Sequence, residues 1–555
     1  MPGAVDAEDR MQLVEIRDLD GPNVFITQPA IKIELSIDSN DLRGDPLRRL
    51  LHAFEVFGNG IEDASADMTT IADGLTDIVS ALHRRAGVTP PETRWEEMET
   101  LGHLAVVFTW DHRRFALRLA EIVATITTGD PPTPSDAIDE LTALRQSPAE
   151  VDDQPLMLSD QDRHVPIIGI TGTNGKTTTT RLVAHILRNA GRSTGWSSST
   201  GVYINGDEIM EGDYTGPQGA RRVLDEPGLD VAVLETARGG ILLRGLAYES
   251  NDVSVFINVS GDHLDLQGIR TVEGLARVKA TVAKVTRASG HAVLNAQDPL
   301  VRGAAGGIKA SVLLFSQDDQ LPAVLTHVGS GGTALVVREG NMVLIRGDQD
   351  HVVATVADVP MTFGGQAPHM IENALAGAAA CLAVGLTIEE VRSGLVSFRN
   401  APDQNAGRLN VYDVNGVTVI ADYAHNEAGL TQLLAFAGHF IEEGGKLLTV
   451  IGTAGDRTDE TLHALGRIAA EQSERVIVKR TERYLRGRPP GEMEERFRAG
   501  LASGGLDMED PADTEMDALD RLLQDAKPGD VVAMMCIEQV KEIPDHLRAI
   551  GRPVS

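Results

Sequence analysis

Apolar and polar positions change their period twice along the chain. From Met11 to about Thr128, two strand-like runs, VEIRDL and IKIELSI, precede three segments with apolar residues at helical spacing: LRRLLHAFEVF, TTIADGLTDIVSALHRR and RRFALRLAEIVATI. GDPPTPSD, Gly129 to Asp136, is rich in Pro and Asp and reads as a linker, with a short acidic helix and the polar run SPAEVDDQP after it. From Val165 the pattern becomes short buried strands alternating with amphipathic helices: VPIIGI, TTTTRLVAHILRNAG, VAVLETA, VSVFINVS and TVEGLARVKATVAKV. Apolar runs of this length joined by helices predict a parallel, doubly wound sheet. TALVV and MVLIR, joined at Glu339-Gly340-Asn341, predict a hairpin inserted into that sheet, and the helices ENALAGAAACLAVG and TIEEVRSGLVSF close the unit. A third unit alternates again, through VTVIADYA, KLLTVIG, RVIVKR and GDVVAMMC, and predicts a Rossmann-like sheet. The expected architecture is α/β with three domains: an α+β domain with its linker over 1–158, a central parallel-sheet domain over 159–403, and a Rossmann-like domain over 404–555.

Composition narrows the class of partner. The chain's 555 residues carry 50 basic and 81 acidic side chains, a formal charge of −31. Such a surface repels nucleic acid and anionic membrane, so neither is an expected partner. It also means that any anion site must gather its few cations locally. Two widely separated cysteines, Cys381 and Cys536, give no disulfide framework. The start MPGAVDAEDRMQLVEIRD has no apolar run behind a basic stretch, and no segment reaches the roughly 18 apolar residues of a membrane span, so a cytoplasmic location is expected.

The strongest chemical signal sits where the strand VPIIGI meets the next helix, at Gly172-Thr173-Asn174-Gly175-Lys176-Thr177. Glycines let backbone N–H groups turn toward a phosphate chain, and the helix N-terminus adds partial positive charge. Lys176 is placed to reach terminal phosphates and the Thr177 hydroxyl to sit on Mg²⁺. The generic GxxxxGK[ST] spacing would want glycine at position 170, where Ile170 stands. Asp262-His263 and Glu235 follow predicted strands, so both lie at carboxyl ends, where open sheets bind ligands. Glu235, His263 and Thr177 form a candidate Mg²⁺ set. Lys279 lies on the next helix; His103 and His112 are isolated and read as structural.

These motifs resemble the Mur ligase superfamily of ATP-dependent peptide ligases. GTNGKTTTT is similar to its phosphate loop; His369 to Ala376 to its HNxxNxLAA stretch, with Asn373 retained; Gly407-Arg408-Leu409 to its domain-joining segment; Asp422 to Asn426 to its DYAHNP motif; and Gly455-Asp456-Arg457 to its GDR turn. Ala406 and Glu427 stand where prolines are usual. Within the superfamily, TGVYINGDEIMEGDYTGPQGARRVL, LETARGGILLRGLAY and RGRPPGE resemble the cyanophycin synthetases, as does the opening VEIRDLDGPNVF. Those enzymes carry an ATP-grasp module for which the stretch from Gly129 to Ser159 is too short. The resemblance therefore implies one ATP site of two. It also implies roles. Lys176 and the loop amides of Gly172, Thr173, Asn174 and Gly175 would hold β- and γ-phosphates, and Thr177, Glu235 and His263 the Mg²⁺. Lys279 matches a lysine that many relatives carry as a carbamate bridging a second metal. Asn373 would meet adenine, Arg408 the phosphates and Asp422 the ribose side, while Thr215, Arg238, His425 and Arg457 would line the substrate cleft.

The expected activity is ATP-dependent joining of a carboxylate to an amino-acid amine through an acyl phosphate, with Ala401 to Gly407 as the hinge between the two sheet domains and His425 or a carboxylate as base. The expected substrates are amino acids or peptides. A non-catalytic subunit serving a separate ATP-grasp partner, and a homo-oligomer, stay open from sequence; a simple P-loop ATPase or kinase leaves the motifs after Arg399 unexplained.

Overall fold

The computed structural model describes residues 11–37, 44–60, 67–129, 131–148, 150, 153–261, 264, 267–481 and 485–554. Its strands form three separate sheets. The first is antiparallel, in the order Gln12–Leu19, Ala30–Ser36, His103–Thr109, Thr93–Glu97. Ile31, Ile33 and Leu35 alternate with Lys32 and Glu34, so one face meets the helices Met68–Arg85 and Arg113–Thr128 and the other carries charge. The strands Thr93–Glu97 and His103–Thr109 had no counterpart in the apolar pattern. HLAVVFT is a continuous apolar run between two helical segments, and such a run has no period to read. The segment read as a linker is also shorter than expected. A helix, Pro134–Gln146, begins inside it, capped by Thr133 with Pro in its first turn, and its Ala137 and Leu141 join the N-terminal core.

The second sheet has eleven strands. Its centre is parallel and runs Thr333–Arg338, Ser311–Ser316, Thr286–Asn295, Asn251–Phe256, Ile167–Thr171, Val231–Glu235, Thr194–Ser198. Antiparallel strands extend it at both ends. One of them, Asn341–Arg346, pairs with Thr333–Arg338 across Glu339-Gly340, both at positive φ, which is the hairpin the sequence predicts. Every residue of Ile167–Thr171 is buried. Burying each isoleucine there stabilises the centre of the sheet by roughly 1.5–3 kcal/mol, and this rigid strand is the base of the phosphate loop.

The third sheet runs Arg475–Val478, Leu447–Ile451, Val531–Met535, Val417–Asp422, Asn410–Val414, Arg552–Pro553, parallel over its first four strands. One apolar core runs from the second sheet into the third, with Phe363 against Phe436 at 4.7 Å. The N-terminal unit is tied to the central one at a helix start. Glu99 accepts hydrogen bonds from the N–H (2.8 Å) and hydroxyl (2.9 Å) of Thr271, the residue that caps the helix Val272–Lys284. Glu96 pairs with Arg277 one turn further on. Among the described residues, no helix is long and apolar enough to cross a membrane.

Candidate active site

A cleft of about 420 Å³ opens between the central and C-terminal sheets, floored by the phosphate loop. The loop's shape follows from its neighbours. Gly175 sits at φ +83° as the helix Lys176–Asn189 begins, and a Cβ there would lie 2.1 Å from Asn373 Oδ1. Asn258, two residues beyond the strand Asn251–Phe256, pins the loop twice: its carbonyl accepts from Thr173 N–H and its Oδ1 from Asn174 N–H, both at 2.9 Å. Lys176 folds over the loop and donates to Thr173 O at 2.8 Å. Buried Lys279 donates to Gly172 O at 2.7 Å, so the helix Val272–Lys284 supports the loop from below.

Oxygen donors converge beside it. Thr177 Oγ1 lies 2.9 Å from Ser199 Oγ and donates to Glu235 Oε1 at 3.1 Å. The Ser199 N–H donates to Glu235 Oε2 at 3.2 Å. Burial pushes the Glu235 carboxyl above its ordinary range, and the charge of Lys176 opposes the shift. Hard oxygen donors of this kind suit Mg²⁺, so Thr177, Ser199 and Glu235 fit the ion the sequence calls for. Asp262 and His263 lie outside the described residues. Among those described, no three His, Cys, Asp or Glu side chains gather into a metal cage.

The C-terminal sheet supplies the facing wall. Arg408 lies 4.7 Å over the Tyr423 ring and reaches Thr177 Oγ1 at 3.4 Å. Asp422, at the end of Val417–Asp422, accepts from Leu409 N–H at 2.8 Å. His425 is held by the Tyr423 carbonyl at 2.9 Å, and buried Arg457 donates to the His425 carbonyl at 3.3 Å. Asn426 caps the helix Glu427–Gly438 through Oδ1 and donates from Nδ2 to Asn174 Oδ1 at 3.0 Å. That amide joins the two sheet domains directly at the phosphate loop. On the central side, Thr215 donates from both N–H and hydroxyl to Asp213 Oδ1, and Arg238 starts the short helix Arg238–Leu243 at the cleft wall. Asn373, expected at the adenine, is packed beneath the phosphate loop with Oδ1 accepting from Thr179 at 3.4 Å.

Ser199, Asp213, Asn258, Glu372 and Asn426 are cleft-side or loop-pinning residues to which sequence reasoning assigned no role, although Glu372 and Asn426 lie inside motifs quoted above. Ser199 and Asn258 carried a usable signal, a polar residue just past a buried strand, the same one that marked Glu235. Glu372 lies in the cleft wall and accepts from Asn258 Nδ2 at 2.7 Å; burial pushes its carboxyl up to about 7. The unfolded chain releases this proton near 4.5, so between those values the unfolded state binds fewer protons and rising pH favours unfolding. Above about 7 the penalty is constant, at most about 3 kcal/mol. Glu372→Gln mimics the protonated acid. It should raise the thermal midpoint at pH 8 and converge with wild type toward pH 4; equal midpoints at pH 8 would refute the buried-acid reading.

Comparison with known proteins agrees with this geometry. Residues 170–381 match the Mur ligase middle domain and 407–536 the Mur ligase glutamate ligase domain. The cyanophycin synthetase of Synechocystis sp. is 43% identical over 347 residues, 62% of this chain and 39% of that protein. This chain thus spans well under half the length of those relatives. The UDP-N-acetylmuramoyl-L-alanyl-D-glutamate–2,6-diaminopimelate ligase of Gloeobacter violaceus is 30% identical over 381 residues, 67% of this chain and 72% of that one. In fold, the chain is similar to E. coli FolC in complex with DHPP and ADP, with a TM-score of 0.52 at 21% identity over 69% of this chain and 89% of that one. With both domain matches in register with the two sheets that form the cleft, the chain belongs to the Mur ligase family.

Proposed function

We propose that this protein is an ATP-dependent ligase that joins a carboxylate to an amino-acid amine, working at the cleft between the central and C-terminal sheets. The observation that carries the reading is the meeting of the phosphate loop, Glu235 and Thr177 of one sheet with Arg408 of the other, within hydrogen-bonding reach. Phosphoryl transfer needs alignment and neutralised charge more than covalent help. Lys176 and the loop N–H groups would hold the β- and γ-phosphates, and Arg408 would add charge from the facing domain. Thr177, Ser199 and Glu235, with His263, would hold Mg²⁺, which neutralises phosphate charge when bound. A carboxylate oxygen attacks the γ-phosphorus, the bridging P–O bond breaks, and ADP leaves an acyl phosphate. The neutral amine then attacks the acyl carbon, phosphate departs, and the amine proton passes to a base, for which His425 stands at the cleft wall. Arg238 and Arg457 would orient substrate carboxylates. The likeness to cyanophycin synthetases supports a basic amino acid as the amine and an aspartate side chain as the acceptor.

The test is ADP release that requires both an amine and a carboxylate, screened over amino acids and aspartate-containing peptides. Turnover with a matched pair supports the reading. ADP release indifferent to both substrates would reject it, and release only when a separate ATP-grasp protein is added would make this chain a dependent subunit.

A further inference from the structure

Arg181 lies on the helix Lys176–Asn189, five residues beyond Lys176, and none of the motifs above accounts for it. Its half-buried guanidinium reaches beyond its own helix to the segment that follows the central sheet. Nη1 donates to Asn405 Oδ1 at 3.3 Å and to the Ala406 carbonyl at 3.1 Å; Nη2 donates to Thr200 Oγ1 at 3.0 Å. Asn405 and Ala406 belong to the segment joining the two sheet domains, and Thr200 follows Ser199 of the oxygen cluster. Among the described residues, no carboxylate forms an ion pair with Arg181. The nearby charge of Arg408 is like, and burial together with that charge holds the Arg181 guanidinium down to about 10. Glu235 and Glu208 lie near enough to favour the Arg181 charge without pairing with it, so a half-buried cation beside Arg408 is an arrangement that an incoming polyanion stabilises further.

The position of the grip matters. The Ala406 carbonyl immediately precedes Gly407, where the chain turns at φ +69° and a Cβ would come within 2.9 Å of Val540. On the other side of the turn, Gly407 N–H donates to Asn410 Oδ1 at 2.8 Å, and Asn410 Nδ2 donates to the carbonyls of Asn400 and Asn405. The next residue is Arg408, which reaches Thr177. One guanidinium thus fixes the peptide from which Arg408 departs, relative to the helix that carries Lys176 and Thr177.

We infer that Arg181 is a positioning residue that couples phosphate occupancy of the loop to closure of the C-terminal domain, by registering the joining segment, and through it Arg408, on the phosphate-loop helix. The inference rests on the ATP reading above. Lysine at 181 keeps the charge but lacks the fork that spans Asn405, Ala406 and Thr200.

The test uses the full chain with Asp225→Cys and Arg498→Cys, one exposed position on each sheet domain. Cys381 and Cys536 are buried, so labels go to the introduced thiols. Inter-label distance is measured with and without AMPPNP and Mg²⁺, alongside AMPPNP affinity. Wild type is expected to shorten the distance on binding. Arg181→Lys should bind AMPPNP within about threefold of wild type, shift by less than half as much, and lose about a hundredfold in kcat, the scale of a misplaced reacting group. Arg181→Gln, which retains a donor for the Ala406 carbonyl, should behave alike. A full distance shift in both variants would overturn the inference alone. Failure of the wild-type chain to bind AMPPNP would overturn the ATP reading and this inference with it.

Discussion

Replacing Lys176 with alanine is expected to lower amine-dependent ADP release by at least about a thousandfold while the fold survives. The ammonium caps the phosphate loop from above, 2.8 Å from Thr173 O, and is half-buried at the edge of the cleft. The packing beneath it is unaffected: the strand Ile167–Thr171 is buried by its own neighbours, and the loop is pinned by Asn258 rather than by the lysine. Removing the side chain therefore removes charge where phosphate charge develops and little else. The check is steady-state ADP release at saturating amine and carboxylate, with circular dichroism and a thermal scan as controls. Turnover within tenfold of wild type in a folded variant would reject the phosphate-loop assignment.

Glu235→Gln should separate activity from stability. Glu235 is buried at the end of Val231–Glu235, its carboxylate accepting from Thr177 and from the Ser199 N–H. Burial of that charge is a standing cost. The amide can keep its oxygen on the Ser199 N–H and turn its NH2 to the Thr177 hydroxyl oxygen, a change of about 1 kcal/mol, offset by relief of the buried charge. The thermal midpoint should stay within a few degrees of wild type. Turnover should fall about a hundred- to a thousandfold, and half-saturation by Mg²⁺ should move to higher concentration. A purely structural glutamate would give the opposite pattern, a lower midpoint with near-normal turnover at unchanged Mg²⁺. Under the proposed mechanism Lys176 and Glu235 serve the same phosphates, so the double variant should lose scarcely more than Lys176→Ala alone.

Local pattern carried the architecture where the period was clear. VPIIGI, VAVLETA and VSVFINVS are the adjacent central strands, and Glu339-Gly340 turns the inserted hairpin with both residues at positive φ, a conformation that Gly340 adopts freely. It failed where period was missing or local chemistry was ambiguous. HLAVVFT became a strand because it pairs with the remote strand Ala30–Ser36 on one side and with its hairpin neighbour Thr93–Glu97 on the other. GDPPTPSD reads as a linker by its prolines, yet Pro134 begins a helix because Thr133 caps it and Leu141 finds a core to enter.

The candidate site divides in the same way. GTNGKT announces itself because a phosphate grip is made by backbone and one short stretch of sequence, and Glu235 stands out as a charge ending an apolar strand. The sequence by itself determined that the chain carries alternating strands and helices, a glycine-bearing loop between strand and helix, and the motif order of its family. Tertiary structure alone decided that Ser199 joins Thr177 and Glu235, that Asn426 meets Asn174, that Glu372 is buried against Asn258, and that Arg181 reaches the joining segment. Each of these is a contact between residues from 22 to 252 positions apart. A single sequence records the chemistry each residue offers, but only the packing of sheets and domains fixes which of these distant groups meet.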